Sequence, residues 1–406
     1  MRVLWLKTEL LHPLDKGGKI RTYHMLRGFR RRAHVTYLTL DDGTSAADAR
    51  IGAREYSDEL ITVPFSPPVK GTPAYYAALL RNLASRLPYA VARFRSPAMH
   101  DAIARAVRDR RVDLVVCDFL VPAVNVPVGL GVPAVLFQHN VEAAIWARHA
   151  QVARSFVMRA YMGEQWRRMR IFEQRECRRF DHVIAVSELD RDTFQDGYGV
   201  TSVSAIPTGV DIDFFHPSST AVTTPTEIVF VGSMDWMPNS DAVTWFCTDI
   251  LPLVRAQIPD VRLTIVGRDP RPDVQALVAK FPGVTVTGTV PDVRPYLERS
   301  AVVVVPLRVG GGTRLKIFEA MAMEKAVIST RIGAEGLPVQ HDIELLLADD
   351  APSFATAVVR VLRDHAMARR LGETAAARVR GNFGWAAVTE QFSALCERVA
   401  HAGDGV

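Results

Sequence analysis

The chain of 406 residues is long enough for two or three domains, and its 48% apolar and 23% charged residues are typical of a globular protein with a sizeable core. Its formal net charge of +5 is mild, which permits attraction to phosphates or to an anionic membrane but does not argue for a nucleic-acid partner. The four cysteines are scattered without C-x-x-C spacing or a histidine cluster, which favours reduced thiols in the cytoplasm and no zinc site.

Short apolar runs alternate with longer helical patterns through the first half of the chain. The runs predict strands at residues 3–6, 34–40, 60–63, 112–117, 134–137 and 181–187. Residues 15–21 form a glycine loop directly after the first strand, and we expect a helix from there to about residue 32. An anion could bind above the N-terminus of that helix at Gly17 and Gly18, although a surface turn explains two glycines equally well.

Two later stretches of the first half are rich in arginine. Residues 73–95 combine four arginines with apolar side chains at helical spacing, and residues 144–180 predict one long helix with many arginines. The first stretch fits a helix that lies on an anionic bilayer, but a helix packed on its own sheet has the same spacing. A solvated charged face explains the second stretch.

His139 follows the apolar run at residues 134–137 and belongs to the string HNVE. In open parallel sheets, ligands collect beyond the carboxyl ends of the strands, and this histidine lies at such an end. A lone histidine is more often structural. The position therefore leaves both a structural role and a site role open.

The second half repeats the alternation after a polar segment. Residues 218–226 are rich in Ser and Thr and follow Pro217, which predicts a linker between domains. Further strands are expected at residues 228–231, 263–266, 284–289, 301–305 and 326–330, and helices at residues 314–324, 351–380 and 385–400. The repeated βα units of both halves predict an α/β protein with two doubly wound domains.

A second glycine loop, residues 310–312, separates one of these strands from a helix that Thr313 can cap. Glycines let a ligand approach the backbone, and the free N–H groups of a helix N-terminus suit a phosphate. Arg314 and Lys316 add two cations there, and a bound anion would offset their unfavourable interaction with the helix dipole. Glu319, one turn further, is placed to accept hydrogen bonds from ribose hydroxyls. The alternative is a plain turn followed by an ordinary surface glutamate.

The sequence PLRVGGGTRLKIFEAMA at residues 306–322 resembles the donor-nucleotide segment of the family 4 glycosyltransferases. The resemblance extends over nearly the whole chain and implies the GT-B fold, an α/β fold in which two Rossmann-like doubly wound domains face each other across a cleft. It implies an N-terminal acceptor domain at residues 1–217 and a donor nucleotide-sugar domain at residues 218–384. The last helix, at residues 385–406, is expected to cross back to the first domain.

In that family a pair of glutamates, eight positions apart, brackets a loop that contains glycine. Glu319 matches the second glutamate, which holds the ribose of the sugar nucleotide. The first falls at position 311, where this chain has Gly311, as in a subgroup that carries GGGTRLK followed by EAMA. The resemblance therefore implies a donor site at Gly311, Gly312, Thr313, Arg314 and Lys316, with Glu319 on the ribose.

Other family positions complete the implied site. The string HNVE resembles a motif whose histidine faces the donor sugar, so His139 and Glu319 are the expected catalytic residues. Further donor-binding residues are expected in the first glycine loop and in turns after the strands of the second domain, namely Gly17, Gly18, Gly232, Ser233, Gly267, Arg268 and Val290. Many family members carry Gly-Arg where this chain has Gly-Ser, so Arg314 and Lys316 are expected to neutralise the diphosphate.

The resemblance implies a glycosyltransferase that moves a sugar, with retention at the anomeric carbon, from a UDP- or GDP-linked donor. The implied acceptor is a glycan or a lipid-linked glycan in cell-surface polysaccharide biosynthesis. We expect no essential metal and no other cofactor, because the cationic loop can neutralise the leaving group. The expected location is the cytoplasm, with peripheral contact to the anionic inner face of the membrane and no nucleic acid as partner.

Two alternatives remain open at this point. A sugar-nucleotide epimerase has the same fold but needs acid–base carboxylates in its cleft, and the sequence offers no clear pair. A non-catalytic subunit that binds nucleotide sugars is suggested by Gly311 in place of the first glutamate.

Overall fold

The chain divides into two compact units, each built around its own parallel sheet. The computed structural model describes residues 1–43, 47–152, 155–218, 222–309 and 314–402. The first unit comprises Met1–Thr208 together with the last helix of the chain, and the second comprises Gly209–Gly384.

The segment predicted as a linker, residues 218–226, has hydrogen bonds to the second unit. The backbone N–H of Thr224 donates to the carbonyl oxygen of Arg299 at 2.8 Å, and that of Ser218 donates to the Glu298 carboxylate at 2.9 Å. These residues are therefore part of the second unit, which begins at Gly209.

The sheet of the first unit has seven strands, namely β1 (Arg2–Lys7), β2 (His34–Asp41), β3 (Glu59–Pro64), β4 (Leu114–Asp118), β5 (Ala134–Phe137), β6 (His182–Ala185) and β7 (Val203–Ala205). All pairs are parallel, and the spatial order is β3-β2-β1-β4-β5-β6-β7. The central strands are buried on both faces, which explains their continuous apolar sequences.

The helices of this part of the chain are α1 (Gly17–Phe29), α2 (Ala47–Gly52), α3 (Pro73–Leu83), α4 (Tyr89–Ala92), α5 (Pro97–Arg110), α6 (Glu142–Val152), α7 (Phe156–Arg179) and α8 (Glu188–Asp192). Short 3₁₀ turns occur at Ala53–Glu55 and Val121–Asn125, and a π turn at Thr193–Gly197 continues α8.

The second unit has six parallel strands, namely β8 (Glu227–Val231), β9 (Arg262–Val266), β10 (Val284–Val286), β11 (Val302–Val305), β12 (Ala326–Ser329) and β13 (Leu346–Leu347). Their spatial order is β10-β9-β8-β11-β12-β13. The helices are α9 (Met237–Trp245), α10 (Leu251–Arg255), α11 (Pro272–Lys280), α12 (Arg294–Arg299), α13 (Leu315–Ala322), α14 (Ala351–Arg363) and α15 (His365–Asn382), with a π turn at Phe246–Ile250 between α9 and α10. Both units are thus doubly wound, Rossmann-like α/β structures, as predicted.

The last helix, α16 (Trp385–Ala402), belongs to the core of the first unit. The ring of Phe392 lies 5.6 Å from the ring of Trp5 on β1 and 5.4 Å from that of Phe29 on α1. The backbone of α1 approaches α16 so closely at Gly28 that a Cβ there would lie 2.4 Å from the Thr389 side chain. Glycine is therefore required by packing at this crossing.

Two runs predicted as single helices are each divided in two. The run at residues 144–180 is α6 and α7, because Ser155 begins a new helix by accepting a hydrogen bond from the N–H of Met158 at 3.1 Å. The run at residues 351–380 is α14 and α15, because Asp364 accepts from the N–H of Met367 at 2.9 Å. Both residues are preferred helix caps. Across the described residues, no helix combines the length and the apolar character needed to span a membrane.

Candidate functional site

In both sheets the strand order reverses at one point, between β1 and β4 in the first unit and between β8 and β11 in the second. The connections at such a point leave to opposite faces of the sheet, and a crevice for ligands opens at the carboxyl ends of the strands. Every predicted site residue follows the carboxyl end of a strand: β1, β5, β8, β9, β10 or β11. The sequence motifs and the topology therefore indicate the same edge of each sheet.

In the second unit, α13 and the residue just before it carry three of the predicted donor-binding side chains. Arg314 directly precedes the helix and is buried, with its guanidinium 5.9 Å from the centroid of the Trp236 ring. The Lys316 ammonium donates to the Asn239 amide oxygen at 2.9 Å and lies 4.3 Å from the centroid of the Phe230 ring. The side chains near these two cations come from β8 (Phe230), from the loop after it (Trp236) and from α9 (Asn239).

Lys316 and Glu319 are enclosed by protein although each keeps a partly exposed surface. Burial lowers the pKa of Lys316 to about 7, the charge of Arg314 adds to this, and Glu319 opposes it. Burial raises the pKa of Glu319 to about 7, and Lys316 opposes that shift. Among the residues that the structure describes, none forms a hydrogen bond to the Glu319 carboxylate.

Two predicted glycines have a packing reason that the sequence did not reveal. A Cβ on Gly267 would lie 1.7 Å from the carbonyl oxygen of Gly232, so the turns after β8 and β9 touch backbone to backbone. A Cβ on Gly232 would lie 2.5 Å from the Lys316 ammonium. Gly232 therefore leaves room for the lysine, and Gly267 leaves room for the backbone of Gly232.

The other predicted residues of the second unit are placed as follows. The Ser233 hydroxyl accepts from Arg268 Nε at 2.8 Å and donates to the Asp235 carboxylate, so Ser233 and Arg268 belong to the same cluster. Val290 is half-buried in the loop after β10 and packs against the hydrophobic core. Gly311, Gly312 and Thr313 lie outside the described residues.

In the first unit, the carboxylate of Asp118 collects four donors at the carboxyl ends of β1, β4 and β5. Its Oδ2 accepts from the Lys7 ammonium at 2.9 Å, the Thr22 hydroxyl at 2.6 Å and the Trp5 indole N–H at 3.0 Å. Its Oδ1 lies 2.7 Å from Nε2 of His139. All five side chains are buried. The predicted residue His139 is thus part of a buried ionic cluster.

Phe119 completes this cluster. Its ring stacks on the His139 imidazole with centroids 3.7 Å apart, and the Lys7 ammonium lies 4.3 Å from its centroid. A Cβ on Gly18 would lie 2.8 Å from the same ring, which brings the first glycine loop next to His139. The backbone of Phe119 has φ = 76°, a left-handed conformation that is costly for an aromatic residue and is most often found at functional sites.

Burial controls the protonation of this cluster. Burial lowers the pKa of His139 to about 3, against the attraction of Asp118, so the imidazole is neutral. Although burial acts in the opposite direction, Lys7 and the hydrogen bonds from His139 and Thr22 hold the pKa of Asp118 well below its ordinary value. Arg21, whose pKa burial lowers to about 9, donates to the carbonyl oxygens of Gln138 and Ile206. Burial lowers the pKa of Lys7 as well, against the attraction of Asp118.

Lys7, Asp118 and Phe119 were not predicted as site residues. Lys7 and Asp118 are 111 positions apart, and only the order of β1 and β4 brings them together. A signal was available in the sequence, since Lys7 and Asp118 each follow a run of four apolar residues at the end of a strand, and a buried charge requires a partner. Within the described residues, no group of three or more His, Cys, Asp or Glu side chains is arranged to hold a metal ion.

Two family models match the chain in succession. The model described as "Glycosyltransferase Family 4" matches residues 16–214, and the model described as "Glycosyl transferases group 1" matches residues 225–364. A phosphatidyl-myo-inositol mannosyltransferase of Mycolicibacterium smegmatis is 27% identical over 84% of this chain and 86% of its own length. An "Uncharacterized 44.6 kDa protein in cps region" of Klebsiella pneumoniae is 26% identical over 32% of this chain, and the match spans 36% of that relative.

The fold is also found among solved structures. The Anabaena protein Alr3699/HepE, solved in complex with UDP-glucose, aligns over 98% of this chain and 100% of its own, with a TM-score of 0.68 and 14% sequence identity. At that identity the likeness concerns the fold.

Proposed function

Since this chain belongs to the family 4 glycosyltransferases of the GT-B fold, we propose that it transfers a sugar from a nucleotide-sugar donor to a glycan or lipid-linked acceptor. The donor nucleotide is UDP or GDP, and the anomeric configuration is retained. The UDP-glucose bound by the Anabaena protein supports a nucleoside diphosphate donor, and the named lipid substrate of the Mycolicibacterium relative supports a lipid-type acceptor. The resemblance of residues 306–322 supports retention and a role in cell-surface polysaccharide.

The observation that carries this proposal is the arrangement of α13 at the switch point of the second sheet. Arg314 and Lys316 stand at the N-terminal end of the helix, and Glu319 projects from its next turn. The rise from Arg314 to Glu319 is about 7.5 Å at 1.5 Å per residue. One helix can therefore hold both the diphosphate and the ribose of the donor.

We propose the following roles for these side chains. Arg314 and Lys316 neutralise the charge that develops on the leaving diphosphate, which removes the need for an essential metal. Glu319 accepts hydrogen bonds from the ribose hydroxyls. His139 contacts the reacting sugar. Gly232 leaves room for the Lys316 side chain, and Gly267 leaves room for the Gly232 carbonyl group.

We also propose that the protein contacts an anionic membrane surface through α3 and the start of α7. The side chains of Tyr76, Leu80 and Leu83 are exposed on α3, which therefore does not pack this face on its own sheet, and Phe156 and Val157 are exposed on α7. Residues 73–95 contain four arginines and no acidic residue. Exposed apolar side chains among cations match the chemistry of an anionic bilayer surface. We propose that this surface is the anionic inner face of the membrane and that the protein is located in the cytoplasm.

The donor site is tested by Glu319→Ala. A charged hydrogen bond is worth roughly 1.5–3 kcal/mol, so the dissociation constant of UDP should rise about tenfold to a hundredfold, as measured by calorimetry. Folding should be little affected, because Ala is a better helix former than Glu.

Glu373→Ala is the control, since it removes an exposed carboxylate from α15, a helix that carries none of the proposed donor residues. It should leave UDP affinity unchanged. If Glu319→Ala binds UDP normally but melts much earlier, Glu319 is a structural residue and the proposed donor site is wrong. Release of UDP or GDP from UDP-glucose or GDP-mannose by the purified protein would exclude a purely binding subunit.

A further inference from the structure

Four side chains lie within hydrogen-bond distance of the Asp118 carboxylate. Lys7, Thr22 and Trp5 are placed at Oδ2, and His139 is placed at Oδ1. Lys7 and Trp5 can only donate. Asp118 therefore acts as an acceptor, and its charge is compensated by Lys7 within the same buried cluster.

This arrangement dictates the protonation of His139. Because Asp118 is an ionised acceptor, Nε2 of His139 must carry a proton and donate it in the hydrogen bond of 2.7 Å. Burial together with the positive charges of Lys7 and Arg21 disfavours a second proton on the ring. Nδ1 is therefore an unprotonated acceptor, and none of the described residues donates a hydrogen bond to it.

We propose that Asp118 is a positioning residue that fixes His139 in the Nε2–H tautomer, so that Nδ1 accepts a hydrogen bond from a sugar hydroxyl. Lys7, Thr22 and Trp5 hold the carboxylate in place. The stack with Phe119 holds the plane of the imidazole ring, and the left-handed backbone of Phe119 sets the direction of that stack. The hydroxyl partner rests on the proposed function, whereas the tautomer does not.

The residues that follow His139 are held by Glu173 on α7. Its carboxylate accepts from the backbone N–H groups of Glu142 and Ala143 at 2.7 and 3.0 Å, at the start of α6. His139 is therefore held by its hydrogen bond to Asp118, and the chain just after it is held by the hydrogen bonds of Glu173 at the start of α6. A histidine that only filled a hydrophobic core would need neither a buried ion pair nor a fixed tautomer.

The tautomer can be measured on the protein without any ligand. Long-range ¹H–¹⁵N NMR spectra of uniformly labelled protein should show a protonated Nε2 and an unprotonated Nδ1 for His139, unchanged between pH 8 and pH 5. The chain has 11 histidines, so His139→Gln assigns the signal by its loss. A protonated Nδ1 or a doubly protonated ring in the native protein would overturn the proposal.

Substitution of Asp118 then tests what fixes the tautomer. An amide can donate as well as accept, so Asp118→Asn should give signals of both tautomers. This variant leaves the Lys7 charge buried and unpaired and can fail to fold, so Lys7→Met/Asp118→Asn, which removes both charges together, is made alongside it. A double variant that keeps the single Nε2–H tautomer would show that Asp118 does not set it.

Asp113→Asn is the matched control, since Asp113 stands just before β4, at the opposite end of the strand that ends in Asp118, and accepts from the backbone N–H of Arg2 at 2.7 Å. Its spectrum of His139 should be that of the native protein. With UDP-glucose and GDP-mannose as probes, the double variant should lower kcat for release of the nucleoside diphosphate about tenfold or more and change KM little. An unchanged kcat would overturn the role in positioning. If the native protein has the expected tautomer but releases neither nucleotide, the proposed function fails and the tautomer control by Asp118 stands.

Discussion

Lys316 and Glu319 make the proposed donor site sensitive to pH near neutrality. Burial lowers the pKa of Lys316 to about 7 and raises the pKa of Glu319 to about 7. A diphosphate needs a charged Lys316, so above pH 7 the free protein must take up a proton to bind, and affinity should fall about tenfold per pH unit. Ribose needs an ionised Glu319, so below pH 7 the free protein must release a proton, and affinity should fall there as well. We therefore expect UDP affinity, measured by calorimetry, to be highest near pH 7.

Uridine separates the two side chains, because it has the ribose but no phosphate. Its affinity should fall only on the acid side. In Lys316→Ala, UDP affinity should no longer fall above pH 7 but should still fall below pH 7. If UDP affinity still falls above pH 7 in this variant, another group binds the diphosphate.

The sequence predicted that Lys316 and Glu319 lie on one helix, but it did not predict the side chains around them. Glu319 and Lys316 were identified because they lie close together on a helix after a glycine loop, and local spacing is visible in a sequence. The partner of Lys316, Asn239, lies 77 positions away after β8, and the partner of His139 follows from the order of strands. Contacts between distant loops depend on topology, which short-range patterns do not contain.

At the scale of elements, the position of α13 depends on α15. Arg380 on α15 pairs with Glu324 at 2.9 Å, just beyond the end of α13, where Glu324 has φ = 57° and stops the helix before its predicted end at residue 324. A Cβ on Gly372 of α15 would lie 2.1 Å from the carbonyl oxygen of the same Glu324. The residue just after α13, the helix that carries Lys316 and Glu319, is therefore in close backbone contact with α15.

We expect Gly372→Ala to destabilise the protein by about 1–2 kcal/mol in urea unfolding, because the clash with Glu324 outweighs the better helix propensity of Ala. Gly381→Ala, in the same helix, meets no atom within 4 Å and should stabilise by about 0.5–1 kcal/mol. Equal stabilisation by both variants would contradict the close contact.

The elements themselves were predicted to different degrees. Strands such as β4 and β11 were found because burial on both faces gives an uninterrupted apolar run. The short strands β7 and β13 were missed because two or three residues carry no periodicity. Helix breaks at Ser155 and Asp364 were missed because a capping residue within a helical pattern looks like one more polar position.

At the scale of the whole molecule, the exposed face of α3 predicts binding to anionic vesicles. Vesicles of phosphatidylcholine with phosphatidylglycerol should co-sediment the protein at low salt, whereas vesicles of phosphatidylcholine alone should not. Leu80→Glu/Leu83→Glu replaces two exposed apolar side chains by charges that repel the lipid and should lower the partition coefficient about tenfold or more.

Leu253→Glu/Val278→Glu is the control for that experiment, because it makes the same change at two exposed apolar positions of the second unit. It should bind vesicles like the native protein. Equal binding by all three proteins, or no binding by the native protein, would show that α3 is not a membrane surface.

The return of α16 to the first unit has a consequence for synthesis on the ribosome. The first unit begins the chain, but the side chains that cover Trp5 and Phe29 come from the last 18-residue helix. A nascent chain that has emerged only to residue 208 has all seven strands of the first sheet but lacks this cover. The apolar side of β1 and α1 therefore stays open while the whole second unit is being made, and it is covered only after α16 has been translated.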